Sequence, residues 1–434
     1  MIIIDTALKQ RLAEGNPVRV ALVASGYMGR AIVRVIHQSF PGIRVAAIAN
    51  RTVARAEETY REAGVKDFRA VATPAELDRA IENGVCAVTD DPAVACRAGR
   101  IEAVIETSGD VEFGAIVALE ALTHGKHVVL MNAEVDAAVG PILKAYADRH
   151  DAVYTYTDGD EPGVAMNLFR FVASIGYKPV MLGQIKGFLN RYRNPDTQKE
   201  FAAKHGQKPA MVASFADGSK LALEATIMAN GTGFKPAIVG MHGHSCKHVK
   251  DLLQHFKPED FAKGGLVDFA LGAEPGTGAF VIGYNDDPVL KQYMAYFKFG
   301  EGPLYLFYTP YHLPHLQLPH SVARAALFRD PTLTPLGAPV CEAVAYAKRD
   351  LKAGEILDGM GGFTNYGLVD TYENSCAQDY LPMSLSVGCT LLRDVAKDAP
   401  LRYADVRLPA GRTCDRLRAE QTARFPKAVP VSWS

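Results

Sequence analysis

No stretch of this 434-residue chain stays apolar over the ~18 residues that a membrane-spanning helix needs. An excess of charge is lacking too. The formal net charge is -1, which argues against a nucleic-acid or anionic-membrane partner. The seven cysteines (Cys86, Cys96, Cys246, Cys341, Cys376, Cys389, Cys414) include no C-x-x-C pair. An odd, scattered set of this kind argues against a disulfide framework and fits free thiols in a reducing cytoplasm. The first residues, MIIIDTALKQRLAEGNP, lack the long apolar core and small-residue cleavage site of a signal peptide. Internal repeats and low-complexity tracts are also missing. What remains is an ordinary globular composition, 48% hydrophobic and 22% charged. The length suits two or three domains of roughly 100–200 residues.

Residues 5–14 read as a short leader helix, stopped by Gly15-Asn16-Pro17. Strand and helix patterns then alternate: strand 18–24, helix 28–39, strand 45–50, helix 54–64, strand 103–108, helix 112–124, strand 127–132. That rhythm predicts a doubly wound parallel sheet covered by helices on both faces. Near residue 153 the character changes. VYTYTDGDEPGV (153–164) runs from a strand into an acidic turn. Helical segments at 164–176 and 220–229 then mix with strands and with a polar loop, GFLNRYRNPDTQ (187–198). Beyond Pro331-Thr332-Leu333-Thr334-Pro335, short strands with turns such as Lys-Ala-Gly-Glu predict a small all-β unit. The expected division is therefore 1–155 for a dinucleotide-binding domain with its leader helix, 156–335 for an α+β substrate domain, and 336–434 for a β domain.

The sharpest motif is Ala24-Ser25-Gly26-Tyr27-Met28-Gly29, between a predicted strand and a predicted helix. A tight turn there brings backbone N–H groups and a helix N-terminus against a pyrophosphate. Ala24 stands where such loops usually carry their first glycine. The next strand ends at Asn50-Arg51-Thr52. An acidic residue at that point would accept the ribose 2′-hydroxyl of NAD, whereas Asn50 and Arg51 suit a 2′-phosphate, so the expected cofactor is NADP(H). Thr107, Ser108, Gly109 and Asn132 follow later strands, at the sheet end where the nicotinamide lies in this topology.

Asp158, Asp160 and Glu161 lie in one turn, where clustered carboxylates serve acid–base chemistry or hold a divalent cation. Lys186, Asn190, Arg191 and Arg193 lie in or beside the polar loop. Lysine can act as acid or electrophile, and paired arginines suit a phosphate. Lys220 and Glu224, spaced i and i+4, read as a helix ion pair. His242, His244, Cys246 and His248 fall within seven residues. They lack the H-x-x-x-H or paired C-x-x-C spacing of a zinc site, and a substrate-facing glycine loop that uses His242 is the reading taken. His312, His315 and His320 sit among prolines and leucines and read as structural.

The stretches VALVASGYMGRAIV, KHVVLMNAEVDAAVGPIL, YTDGDEPGVAMNL, DGSKLALEATIMANGTGFKP, HLPHLQLPHSVARA and AKRDLKAGEILDGMGGFTNYGL span most of the chain. In them the chain resembles the homoserine-dehydrogenase-like NAD(P) oxidoreductases with a C-terminal SAF domain. Within that group it is most similar to the DXP reductoisomerase-like (DRL) enzymes. The resemblance implies a Rossmann domain, a mixed substrate domain and a SAF-like β domain. It also implies NADPH-dependent conversion of 1-deoxy-D-xylulose 5-phosphate to 2-C-methyl-D-erythritol 4-phosphate, in isoprenoid synthesis. Asn230-Gly231-Thr232-Gly233 stands where homoserine dehydrogenases carry an N-G-T-T-N-Y-type motif. The departure speaks against homoserine, while Asn230 and Thr232 remain substrate-binding candidates. In this reading Lys186, Asp158, Asp160 and Glu161 are catalytic, and Asn190, Arg191, Arg193 and His242 bind a small, phosphorylated substrate in a cytoplasmic homo-oligomer. Two rivals stand beside it: a dehydrogenase or oxidative isomerase of a sugar acid or amino alcohol, and a non-catalytic NADP-sensing protein.

Overall fold

The structure is a computed structural model and describes residues 4–426. The outermost residues of the expected first and third domains, 1–3 and 427–434, lie outside the described residues. The chain divides into two compact units. The first comprises Met1–Asp160, Leu313–Thr334 and Arg416–Gln421. The second comprises Glu161–His312, Pro335–Asp415 and Thr422–Ser434.

The first unit opens with the leader helix α1 (Asp5–Ala13), then β1 (Val18–Val23), α2 (Tyr27–Ser39), β2 (Ile43–Ala49) and α3 (Val53–Ala63). There follow β3 (Phe68–Ala70), α4 (Pro74–Glu82), β4 (Cys86–Thr89) and α5 (Pro92–Arg97), a stretch the periodicity had not resolved. These elements are short, at three to nine residues, and too brief to build a clear period. β5 (Ala103–Glu106), α6 (Val111–Thr123), β6 (His127–Leu130), α7 (Ala133–Arg149) and β7 (Tyr154–Tyr156) complete it. The seven strands are parallel, in the order β3-β4-β2-β1-β5-β6-β7. This is the Rossmann arrangement. Strand order reverses between β1 and β5, which opens a crevice at their carboxyl ends.

In the second unit, α8 (Glu161–Ser174) leads to β8 (Lys178–Lys186), followed by α9 (Lys199–Lys204), α10 (Pro209–Ala216) and α11 (Ser219–Thr232). β9 (His244–Ser245), β10 (Leu266–Leu271), β11 (Ala279–Tyr284), α12 (Pro288–Tyr296) and β12 (Leu304–Thr309) finish a mixed five-stranded sheet, ordered β12-β11-β8-β10-β9. The next helix, α13 (Pro314–Ala323), belongs to the first unit and packs on α2, with Leu318 and Val322 in the same core as Ile32 and Ile36.

The C-terminal region has β13 (Cys341–Ala347) paired antiparallel with β14 (Asn365–Thr371), α14 (Tyr372–Ala377), and β15 (Thr390–Leu391) paired with β16 (Val406–Arg407). It groups with the mixed sheet rather than standing alone, and α11 packs against both β13 and β14. The Ser219 hydroxyl accepts from Gly367 N at 3.1 Å. The buried Lys348 ammonium bonds Asp217, the Gly362 carbonyl and the Arg193 carbonyl at 2.7–2.8 Å. The final helix is α15 (Thr413–Arg424), of which Arg416–Gln421 belong to the first unit.

Those six residues repair a helix there. Pro141 lies inside α7, where proline interrupts the hydrogen-bond ladder. One turn is opened, and the Gln421 side chain fills it. Its Oε1 accepts from Ile142 N at 3.1 Å and its Nε2 donates to the Ala138 carbonyl at 3.2 Å.

Candidate active site

In the Rossmann unit the expected cofactor residues surround the crevice. Ala24, at the end of β1, has φ 72°, the left-handed region where a glycine is the usual choice. α2 starts at Tyr27 with Gly26 as its N-cap, so its first N–H groups are free to meet an anion. A Cβ at Gly29 would lie 2.4 Å from the Ala24 carbonyl, so only glycine lets the helix pass there. Gly26 has open space where a Cβ would be. Tyr27 is exposed and Met28 half-buried. The Ser25 hydroxyl is buried without a hydrogen-bond partner. An orphan hydroxyl beside a helix N-terminus and an open backbone fits a pyrophosphate.

Asn50 has local work that its sequence position did not reveal. Its Oδ1 accepts from Ser25 N at 3.1 Å and its Nδ2 donates to the Thr52 carbonyl at 2.9 Å, clamping the loop. Arg51 is exposed beside it. The Thr107 hydroxyl donates to the carbonyls of Val23 and Ala24 at 3.0 and 2.8 Å, joining β5 to the β1 loop. Asn132 caps α7 through Val135 N and donates to Glu106 Oε2 at 2.9 Å. Glu106 also accepts from Ser108 N, and Gly109 beside it has φ 66°. Burial pushes the Glu106 carboxyl up to about 7, against the pull of those hydrogen bonds. The sequence reading passed over Glu106 because it lies inside a strand.

The three carboxylates of the acidic turn take different hydrogen-bond and ionic partners, although ligand atoms of Asp160, Glu161 and His312 lie within 4.8 Å of one another. Asp158 and Asp160 belong to the first unit. There Asp158 Oδ2 is 3.7 Å from His320 Nδ1, and Asp160 accepts from the Tyr156 hydroxyl at 2.5 Å. Glu161 opens α8 in the second unit. Its Oε1 lies 2.7 Å from Lys186 Nζ and its Oε2 3.6 Å from His312 Nε2. A tight turn sends successive side chains in different directions, so neighbours in sequence find separate partners.

Lys186 is the last residue of β8, and a second carboxylate, Glu224 of α11, approaches its ammonium to 3.5 Å. Glu224 is 1% exposed. The i, i+4 spacing offered Glu224 to Lys220, and the fold of α11 also brings it to Lys186 on β8. His312, read as structural, is tied to the Thr277 hydroxyl at 2.8 Å and so is held beside Glu161. Burial works against the charge on Glu161, but Lys186 and His312 outweigh it and hold the carboxyl below its ordinary range. Gln184, two residues before Lys186, shares its face of the strand. It is fully buried, and neither amide atom has a hydrogen-bond partner. Desolvated dipoles of this kind are rare and ask for a ligand or a water.

The basic loop is tied to the C-terminal region. Arg191 lies over the Tyr366 ring at 5.8 Å and Arg193 over Phe188 at 5.3 Å. The Tyr192 hydroxyl bonds Asp398 at 2.9 Å. Asn190 Oδ1 accepts from Tyr192 N, shaping the turn. Arg191 is exposed and lines a groove with Leu189, Gly218, Leu221, Met241 and Leu368.

Two expected substrate ligands are buried in structural roles. Asn230 Oδ1 accepts from Val340 N and Cys341 N at 2.7 and 3.1 Å, and the Thr232 hydroxyl donates to Met228 at the end of α11. Their motif is a helix terminus that receives the C-terminal region. His242 is held by Asp268 at 3.0 Å. Asp268 aligns with Gly183 on β8, three residues from Lys186, so its side chain leaves the opposite face of the sheet.

The chain carries a Rossmann unit and a mixed-sheet unit with a half-buried lysine between two glutamates, and its class is an NAD(P)-dependent oxidoreductase. Residues 159–318 match the family described as the catalytic domain of the oxidoreductase DRL, and residues 342–407 match the SAF domain. A search of curated sequences finds no match. Solved structures that resemble the chain include a probable dehydrogenase from Thermotoga maritima, at 11% identity and TM-score 0.42, covering 74% of this chain and 90% of that one. Apo scyllo-inositol dehydrogenase from Lactobacillus casei aligns at 12% identity and TM-score 0.43, covering 73% and 89%. 1-Deoxy-D-xylulose 5-phosphate reductoisomerase from Zymomonas mobilis, in complex with NADPH, aligns at 18% identity and TM-score 0.34, covering 48% and 57%. Among the described residues no helix is long and apolar enough to cross a membrane.

Proposed function

We propose that the protein is an NADP(H)-dependent reductoisomerase that acts on a small phosphorylated keto sugar, with 1-deoxy-D-xylulose 5-phosphate as the substrate to test first. The observation that carries the reading is Lys186 between Glu161 and Glu224, inside the segment that matches the DRL catalytic domain. Rearrangement of the carbon skeleton yields an aldehyde, and the dinucleotide supplies the hydride that reduces it. Within this scheme Lys186 donates a proton or hydrogen bond to the developing alkoxide, and Glu224 receives the hydroxyl proton. Glu161 keeps the ammonium in place. The two oxygens of Glu161 face Lys186 and His312. Arg191, exposed at the groove, is the proposed reader of the phosphate, and Arg51 reads the cofactor 2′-phosphate.

A second reading, a dehydrogenase or oxidative isomerase of an unphosphorylated sugar acid, is favoured by the stacking of Arg191 and Arg193 on aromatic rings. NADPH absorbance with phosphorylated and unphosphorylated keto sugars and sugar acids separates the two. The proposal expects turnover of the phosphorylated ketose, and a fall in kcat of about 10²–10⁴-fold in Lys186→Met. Arg51→Ala is expected to lower the NADPH over NADH preference in kcat/KM. Turnover confined to unphosphorylated substrates sinks the reductoisomerase reading. A normal kcat in Lys186→Met moves the chemistry elsewhere.

A further inference from the structure

We propose that His242, His244 and Asp268 form a metal site for a borderline divalent cation such as zinc, on the face of the mixed sheet opposite Lys186. One ligand atom from each of the three residues lies within 4.8 Å of the others. His242 Nδ1 is already 3.0 Å from Asp268 Oδ2. Zinc bonds of about 2.0–2.2 Å set ligand separations of roughly 3.3–3.6 Å in a tetrahedron, so side-chain shifts of about 1 Å close the site.

The donors are prepared for this use. Asp268 is buried, and its Oδ1 accepts from Gly243 N at 2.9 Å and from Phe269 N at 2.8 Å. Those two bonds fix the carboxylate and aim Oδ2 at the histidines, the outer-shell support that metal ligands commonly have. The His242 and His244 rings are stacked, with centroids 5.2 Å apart, and His255 stacks on His244 at 4.4 Å. Gly243, between the two histidines, has φ 65°, and a Cβ there would lie 2.2 Å from the Phe269 ring. Only glycine lets the chain bring both rings to one carboxylate. Two imidazoles and one carboxylate select zinc, nickel or copper over magnesium, and they leave further positions to solvent. The metal would tie the turn that precedes β9 to Asp268 of β10.

The test uses the full chain, stripped with a chelator and titrated with zinc against a chromogenic competitor. One zinc equivalent is expected, together with a rise in Tm on zinc addition. The double substitution His242→Gln/His244→Gln should weaken that equivalent by more than about 100-fold. Glu161→Gln, in the other carboxylate cluster, should keep it. Zinc binding lost in Glu161→Gln but kept in the double variant overturns the proposal, as does the absence of any zinc equivalent in the parent. If the double variant does not fold by circular dichroism, cobalt in the parent decides: intense visible bands of low coordination support the site, and only the weak bands of a six-coordinate ion overturn it.

Discussion

Gln184 is the residue whose environment is hardest to explain by stability alone. A buried amide without partners costs about 1–3 kcal/mol relative to a satisfied one. Gln184→Leu removes those unmet groups at similar volume, so it should raise the urea midpoint of the free enzyme. If the amide exists to bind substrate, the same change should raise KM. A variant that is more stable with an unchanged KM would show that the orphan amide has no part in recognition. Stability and substrate affinity then move in opposite directions, whereas a simple packing role would lower the midpoint and leave KM unchanged.

The basic loop shows what an element gains from its anchors. Lys348 and Asp217 are both buried, with 2.8 Å between Nζ and Oδ2. Lys348→Met leaves Asp217 charged and unpaired and is expected to destabilise the protein by about 3–5 kcal/mol. Lys348→Met combined with Asp217→Leu should recover much of that loss. Denaturant melts of the single and double variants check this, and equal losses in both would show that the pair does not act as a unit. At this scale the sequence was legible where a period runs long enough. The strand at 18–23, the helix at 27–39 and the helix at 111–123 were all read close to their observed bounds. Lys186 and Glu161 were named from the sequence. Their pairing was not, because a contact across 25 residues leaves no local mark. Glu224 and His312 were given bland roles for the same reason. Their partners lie far along the chain, and spacing reports only near neighbours. The buried roles of Asn230 and Thr232 escaped the sequence for a further reason: the C-terminal region docks on the end of α11, and such docking leaves no periodicity.

At the scale of the molecule, two buried carboxyls set an electrostatic liability in the Rossmann core. Asp136 is fully buried against the Tyr154 hydroxyl, and burial pushes its carboxyl up to about 7, although that hydrogen bond opposes the shift. Glu106 is pushed to about 7 as well. In the unfolded chain these groups lose their protons near the ordinary values of 3.8 and 4.5. Between about pH 4 and 7 the folded state therefore holds protons that the unfolded state has released, so stability falls as pH rises through that window. A shift of this size corresponds to on the order of 3–4 kcal/mol for each group. Asp136→Asn keeps an acceptor for Tyr154 without the charge. Its urea midpoint should match the parent near pH 4, exceed it above that, and exceed it most at pH 8. A parent whose midpoint does not fall over this interval, after the same correction in the variant, would contradict the assignment.

Gln421 closes a gap in α7 that opens 279 residues earlier in the chain. During synthesis at roughly 5–20 residues per second, α7 waits on the order of 15–60 s for the amide that completes it. The first unit to leave the ribosome is thus among the last to be finished. A nonsense change anywhere after the SAF region would fall on the nucleotide-binding half of the protein. Trimming the tail before Gln421 should leave α7 open to proteases and chaperones even though its own residues are untouched.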